Sequence, residues 1–384
     1  MKGKVILAIL LAMIITFSIS ANGISILNNI SAKNSEDFVF QPRDITLQDD
    51  AFLSASGDLV SHFSEWWYFD AIFDNRYSAQ LAVRLTGSFE KILSCITRLD
   101  IYKEGILVYH NQQKPDIKDL ELSTTEPDIK IDNEQVIKGY IDPQTNELIY
   151  DLSFEMQDAN ANLHLVGITK GYKGEVPGST WVVVFPRADI SGTLEFNDKI
   201  LNVKGKAYHD HNYKANVEAA SNYGWYWGRL YSKNYTVNWA CILKNSNTGF
   251  PLLVISKTNG EYTNIQPENI EIAADDFTRN NFHKIPMKFS INVETDDILL
   301  DVKLTPIDVH FCRVFTFVNY WRYHMDCKGD ITVDLQNEKI EDLAISEFIK
   351  FRPTYGNKEF NKFKTNFFDK LVRCFFNLSP YLSS

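Results

Sequence analysis

The sequence predicts an all-β protein built as two domains. Three observations carry this: short alternating segments recur along the chain, turn residues separate them, and one aromatic hairpin pattern comes twice. The alternating segments include 81–85, 180–185, 237–243, 289–293 and 299–304. A period of two places one side-chain set on a core and the other outside, as a strand requires. Asp74-Asn75, Asn259-Gly260 and Lys328-Gly329-Asp330 supply turns between them. Helical periodicity is scarce. Only 360–376, with Phe360, Phe363, Phe367, Phe368, Leu371, Val372 and Phe375, has the spacing of an amphipathic helix, which predicts a short C-terminal helix. Many short strands with little helix point to a β-sandwich or barrel.

The repeat sets the domain count. Trp67-Tyr68-Phe69 returns as Trp225-Tyr226-Trp227, 158 residues later. Aligned without gaps, Phe73 meets Tyr231, Tyr77 meets Tyr235 and Leu81 meets Trp239. Each copy reads as an aromatic strand, a polar turn and a second strand. Two domains that open on the same hairpin explain this most simply. The boundary falls near 212–222, giving domains 51–212 and 213–384.

Composition removes several classes. The 384 residues are 45% hydrophobic, too apolar for a disordered chain. With 18 Gly and 12 Pro the chain is not collagen-like. A net charge of −10 argues against nucleic acid as a partner, since binding it requires a basic face. The 26 Phe, 18 Tyr and 7 Trp suit aromatic strands or an apolar cavity.

The first 20 residues read as an address. Met1-Lys2-Gly3-Lys4 is basic, 5–17 is apolar apart from Thr16, and Ser18 and Ser20 precede a cleavage point before Ala21. That order is a secretory signal, with an uncleaved membrane anchor as the alternative. The expected location is outside the cell or in its envelope. Residues 21–50 read as a polar linker or arm. Five cysteines (Cys95, Cys241, Cys312, Cys327, Cys374) cannot all pair, and their spacing fits no zinc pattern. They are expected to be buried thiols, with at most a Cys312–Cys327 bridge across a hairpin.

Two clusters could hold chemistry. In Ser64-Glu65-Trp66-Trp67-Tyr68-Phe69-Asp70, strand alternation puts Glu65, Trp67 and Phe69 on one face and Trp66, Tyr68 and Asp70 on the other. Tyr68 then stands beside Asp70, a phenol next to a carboxylate. The bland alternative is an aromatic wall with solvated edge carboxylates. The second cluster is Tyr208-His209-Asp210-His211-Asn212-Tyr213, in a chain with eight His. If it is extended, His209 and His211 share one face, and Tyr208 and Asp210 the other. Three readings stand: a metal pair lacking further local ligands, acid–base work by an Asp whose pKa burial raises, or a structural cap satisfied by hydrogen bonds. No phosphate-loop, nucleophile-elbow, zincin or dinucleotide motif is present.

Three pieces taken together resemble a known group: Ser64-Glu65-Trp66-Trp67-Tyr68-Phe69, Tyr208-His209-Asp210-His211-Asn212 and Trp225-Tyr226-Trp227-Gly228-Arg229. They are similar to the carotenoid 1,2-hydratase (hydroxyneurosporene synthase) and AttH-like family, with plant tocopherol cyclases and fungal pericyclase-type cyclases as looser relatives. Asn319-Tyr320-Trp321, Gly329 and Glu347 extend the likeness, which covers roughly 50–355. The resemblance implies two tandem lipocalin-like (calycin-type) β-barrel or sandwich domains with a pocket for an apolar, polyene-like ligand. It implies no cofactor and no metal. In the hydratases an acid protonates an alkene, a tertiary carbocation forms, and water adds. Carried over, Asp210 and His211 become the catalytic candidates. Trp67, Tyr68, His209, Tyr213, Trp225, Trp227 and Arg229 become the ligand-binding ones, with Arg229 orienting a carboxylate such as Asp210. The sequence departs from the family pattern in two places. Tyr213 stands where a Trp follows Asp-His-Asn, and Asn238-Trp239-Ala240 stands where Tyr-x-Asp is expected. Two functions are therefore expected: acid-catalysed hydration or cyclisation of an isoprenoid or other apolar substrate, or non-catalytic carriage of a lipophile in the cell envelope.

Overall fold

The computed structural model describes residues 38–53, 63–88, 91–215, 223–246, 248–315 and 318–351. The expected leader at 1–20, most of the 21–50 arm, the 360–376 helix and Cys374 lie outside the described residues. Within them the protein is all-β: two large curled sheets, a two-stranded ribbon, and otherwise only short 3-10 turns. These are the tandem lipocalin-like barrels that the sequence predicts.

The first sheet has 13 strands and the second nine, and the two share one plan. In the first, the hairpin Phe63–Phe73 and Tyr77–Ser88 opens the sheet, and Phe63–Phe73 also pairs with the late strand Lys199–Ala215. In the second, Gly224–Tyr231 pairs with both Tyr235–Leu243 and the closing strand Gln336–Lys350. All these pairings are antiparallel, so consecutive hairpins fix the register over long stretches. Ser179–Phe196 and Lys199–Ala215 are unusually long strands, 18 and 17 residues. Gly192 allows the first to lie against its neighbour: its φ is +150°, and a Cβ there would meet the Asn162 carbonyl oxygen at 2.0 Å.

Each barrel has its own core. Inward residues of the first include Trp67, Phe69, Leu81, Val83, Leu163 and Ala207. The second packs Tyr226, Trp239, Phe289, Trp321 and Phe348. A third apolar cluster, containing Tyr68, Tyr172, Trp181, Tyr208, Trp227, Phe250 and Ile345, draws on both sheets and joins them. Burying one such aromatic contributes roughly 1.5–3 kcal/mol, so the junction holds the barrels together as well as shaping the space between them. The described part of the arm also belongs to the body. Arg43–Asp44 pairs with Tyr172–Val176, Phe40 enters the joining cluster, and Asp50 ends a 3-10 turn inside the first barrel.

Two expectations need correction. Cys312 and Cys327 are free thiols; across the strand pair Cys312 faces Tyr320 and Cys327 faces Leu304, so no hairpin bridge forms. The hairpin echo exists, but its ungapped alignment is off by one residue. Trp67 points into its own barrel whereas Trp225 packs toward the junction. The turns explain the slip. The first hairpin pairs Ile72 with Ser78, and the second pairs Tyr231 with Thr236, one residue tighter. A one-residue slip exchanges the faces of a strand. By facing, Trp66, Tyr68 and Asp70 correspond to Trp225, Trp227 and Arg229.

Candidate active site between the two barrels

The junction is built in three tiers, set by strand register. Trp66 lies opposite Asn212, Tyr68 opposite Asp210, and Asp70 opposite Tyr208. On the other barrel Trp225 lies opposite Ile349, Trp227 opposite Glu347, and Arg229 opposite Ile345. The outer tier of Trp66, Asn212, Trp225 and Ile349 is half-buried. The middle tier keeps a sliver of accessible surface: Tyr68 8%, Asp210 7%, Trp227 6%, Glu347 8%. The inner tier of Asp70, Tyr208, Arg229 and Ile345 is sealed at 0–1%. Accessibility thus falls from the outer tier to the inner one, with one carboxyl group from each barrel at the same depth.

Charge pairing closes the floor. Asp70 receives Arg229 Nη2 on Oδ1 and Arg322 Nη2 at 2.8 Å on Oδ2. Burial alone would raise the Asp70 pKa, but the two guanidiniums overcome it and hold the group at about 2. Tyr68 Oη lies 2.8 Å from Glu347 Oε1 and 2.9 Å from Asp70 Oδ2, placing one phenolic proton between two carboxylates. Arg322 Nη1 donates to the same phenol at 2.6 Å. Tyr320 Oη donates to Glu347 Oε1 at 2.6 Å.

The two middle-tier acids differ from Asp70. Asp210 Oδ2 accepts from Trp181 Nε1 at 3.0 Å and from Tyr208 Oη at 2.8 Å. Among the described residues its Oδ1 receives only Asn212 Nδ2, at 3.3 Å. Burial pushes its pKa up to about 7, with Glu347 adding to the rise and the Trp181 and Tyr208 hydrogen bonds opposing it. Near neutral pH both the acid and the carboxylate forms of Asp210 are therefore within reach. The proton belongs on Oδ1, because two donors already occupy Oδ2. Burial likewise lifts Glu347 above the ordinary carboxylate range, against the pull of Arg322. Aromatic faces surround this tier. The Trp227 ring centroid lies 5.0 Å from that of Tyr208 and 6.0 Å from that of Tyr68.

The histidines work elsewhere. Alternation sends His209 and His211 into the first barrel, on the opposite sheet face from Tyr208 and Asp210. His209 Nε2 meets Asp50 Oδ2 at 2.9 Å, and His211 Nε2 meets Glu65 Oε1 at 2.9 Å. His211 Nδ1 lies 3.3 Å from Asp50 Oδ1. His209 stacks on Phe69 at 3.8 Å and His211 on Trp67 at 4.6 Å. Burial opposes the His211 charge, but Asp50 and Glu65 override it and raise its pKa to about 9. This sealed network pins the arm, through Asp50, into the barrel. Among the described residues no group of three or more His, Cys, Asp and Glu is arranged to hold a metal ion.

Of the residues singled out in the sequence, the junction gathers Tyr68, Asp210, Trp225, Trp227 and Arg229. It does not include Trp67, His209 or His211, which face the first barrel's interior. Tyr213 is half-buried at the end of its strand, with its ring 5.4 Å from that of His211. Arg229 does not orient Asp210: its partners are Asp70 and Tyr231. Glu347, Arg322, Tyr320 and Trp181 were missed as site residues. Glu347 and Tyr320 entered only through the family likeness, and Arg322 adjoins that motif, but nothing local in the sequence marks them as partners of Tyr68 or Asp210. A cavity of about 330 Å³ lies elsewhere, lined by Asp44, Ile45, Leu148, Thr169, Lys170 and Phe185 among others, and touches neither Asp210 nor Trp227.

Fold and site together define a two-barrel β protein with a buried carboxyl–aromatic cluster at the barrel junction. The chain belongs to the AttH-like family, whose model matches residues 107–335. It is 25% identical over 182 residues to the hydroxyneurosporene dehydrogenase of Chlorobaculum tepidum. That match spans 45% of this chain and 44% of the relative. Among solved structures, an AttH protein of Nitrosomonas europaea aligns with a TM-score of 0.58 at 14% identity, covering 81% of this chain and 98% of that one. CghA with Sch210972 aligns with a TM-score of 0.54 at 7% identity, covering 76% and 89%. These structural likenesses establish the shared fold.

Proposed function

We propose that the junction is an acid site acting on an apolar substrate with an isolated alkene, of the isoprenoid kind, and that the chain acts after export. The observation that carries this reading is Asp210: a carboxyl group that burial raises toward neutrality, in the aromatic middle tier of the junction. A proton on Oδ1 transfers to the alkene carbon that leaves the more substituted cation. The π-faces of Tyr68, Tyr208 and Trp227 stabilise that cation through their quadrupoles. Asp70, locked between Arg229 and Arg322, stays ionised and fixes the phenol of Tyr68. Acid chemistry of this type matches the hydratases that the sequence resembles, and the similar Chlorobaculum tepidum dehydrogenase is named for hydroxyneurosporene. The basic, then apolar, N-terminal segment supports export.

The test incubates the full chain with an acyclic carotenoid in detergent micelles and follows the product by mass spectrometry. A gain of one water in the parent protein and its loss in Asp210→Asn is the expected result. Turnover unchanged in Asp210→Asn removes Asp210 as the acid.

Carriage of a lipophile without turnover is the second reading. It is favoured by the strand Asn238-Trp239-Ala240, where the family pattern has Tyr-x-Asp: Ala240, in the joining cluster, stands at the place of the Asp. Ala240 supplies no acid, and Asn238, at the place of the Tyr, donates from Nδ2 to Tyr172 Oη at 3.1 Å. A copurifying lipophile that the parent protein binds and returns unaltered decides for this reading.

A further inference from the structure

We infer that Glu347 is the second catalytic group of the junction and that, together with the indole N–H of Trp227, it holds and deprotonates the water that captures the cation. This inference rests on the acid-site reading and adds the other half of its chemistry.

Three observations carry it. First, position: Glu347 lies beside Trp227 in the closing strand pair, as Asp210 lies beside Tyr68 in the first barrel. The two carboxyl groups therefore stand at equivalent places on opposite walls, one from each repeat. Second, among the described residues Glu347 is bonded on one side only. Tyr68 Oη at 2.8 Å, Tyr320 Oη at 2.6 Å and Arg322 Nη1 at 3.4 Å all converge on Oε1. Oε2 takes none of these bonds, in a side chain that keeps 10% of its surface accessible. Third, the Trp227 Nε1 hydrogen is buried and finds no acceptor among the described residues. A buried indole N–H almost always has a partner. One water accepting from Trp227 Nε1 and donating to Glu347 Oε2 satisfies both groups, and its second lone pair then faces the aromatic tier.

The step balances. The Asp210 Oδ1–H bond breaks and its proton forms a C–H bond at the alkene. The opposite alkene carbon becomes the cation. The water oxygen gives its electron pair to form the C–O bond, and the water proton passes to Glu347 Oε2. Alkene and water become alcohol, and exchange with solvent returns Asp210 to its acid form and Glu347 to its carboxylate. Burial of Glu347 helps, since a carboxylate held above its ordinary range is a stronger base.

The experiment runs the full chain in D2O with the same acyclic carotenoid and reads two quantities: deuterium entering the alkene carbon, and alcohol formed. Glu347→Gln keeps the shape and leaves Asp210 in place. The expected result is continued deuterium exchange with alcohol formation down ~100-fold, in the range of a lost general base. Trp227→Phe keeps an aromatic face and removes the N–H. It is expected to lower exchange slightly, since Phe offers the cation a smaller π-face, and to lower alcohol ~10-fold further than exchange, about one neutral hydrogen bond. The ratio of exchange to hydration is the deciding readout, because a general loosening of the junction lowers both together. Parental hydration in both variants overturns the inference, as does a parallel fall of exchange and hydration. A parent protein that neither exchanges nor hydrates removes the acid site itself, and this inference with it.

Discussion

Replacing Asp210 by Asn tests the junction without needing its substrate. In the folded protein the carboxyl has a pKa of about 7, against 3.8 for an ordinary Asp side chain. Between those pH values the folded chain holds a proton that the unfolded chain has lost. Stability therefore falls as pH rises through this window and levels off above it. The gap of about three units, at ~1.4 kcal/mol each, makes the full cost of ionising this group about 4 kcal/mol. Asn keeps the volume, and its amide oxygen can still accept from Trp181 Nε1 and Tyr208 Oη, but it carries no ionisable proton. Urea unfolding of both proteins from pH 4 to pH 8 is the assay. The variant should gain on the parent across that range, by up to about 4 kcal/mol, while the two respond alike below it. Stability curves that stay parallel from pH 4 to pH 8 would show that burial does not perturb Asp210, and the acid role would fall with it.

Asp70→Asn leaves two buried guanidiniums, Arg229 and Arg322, facing a neutral amide; it should cost ~3–5 kcal/mol by urea unfolding, and a loss below ~1 kcal/mol would contradict the charge-locked floor. The His211 network predicts the same fall of stability with rising pH as Asp210, in a more alkaline window. Its folded pKa of about 9 exceeds 6.5, so its stabilisation is complete below pH 6.5 and fades as pH rises through 9, by about 3 kcal/mol. His211→Gln should flatten that alkaline limb, which unfolding midpoints between pH 6 and pH 10 will show. Gly228→Ala places a Cβ 2.7 Å from the buried Trp239 indole and from Ser346 Oγ. Overpacking at that inward position should cost ~1–3 kcal/mol, read as a lowered thermal midpoint.

How much of this was written in the chain follows from the range of the interactions. Strand alternation is local, so the sequence alone places Trp66, Tyr68 and Asp70 on one face and Glu65, Trp67 and Phe69 on the other. It also separates Tyr208 and Asp210 from His209 and His211. The two-barrel plan is legible in the repeated hairpin, although a turn one residue tighter hides its true register and turns Trp225 to the junction. What local pattern cannot give is which face becomes a site. Tyr68 meets Glu347 across 279 residues of chain, and Asp70 meets Arg322 across 252. The pKa of Asp210 rises only because the closed structure buries it; the same side chain on an open strand would be an ordinary carboxylate. Sequence fixes the order of side chains along each strand, whereas desolvation and pairing between distant strands exist only once both sheets have closed on each other.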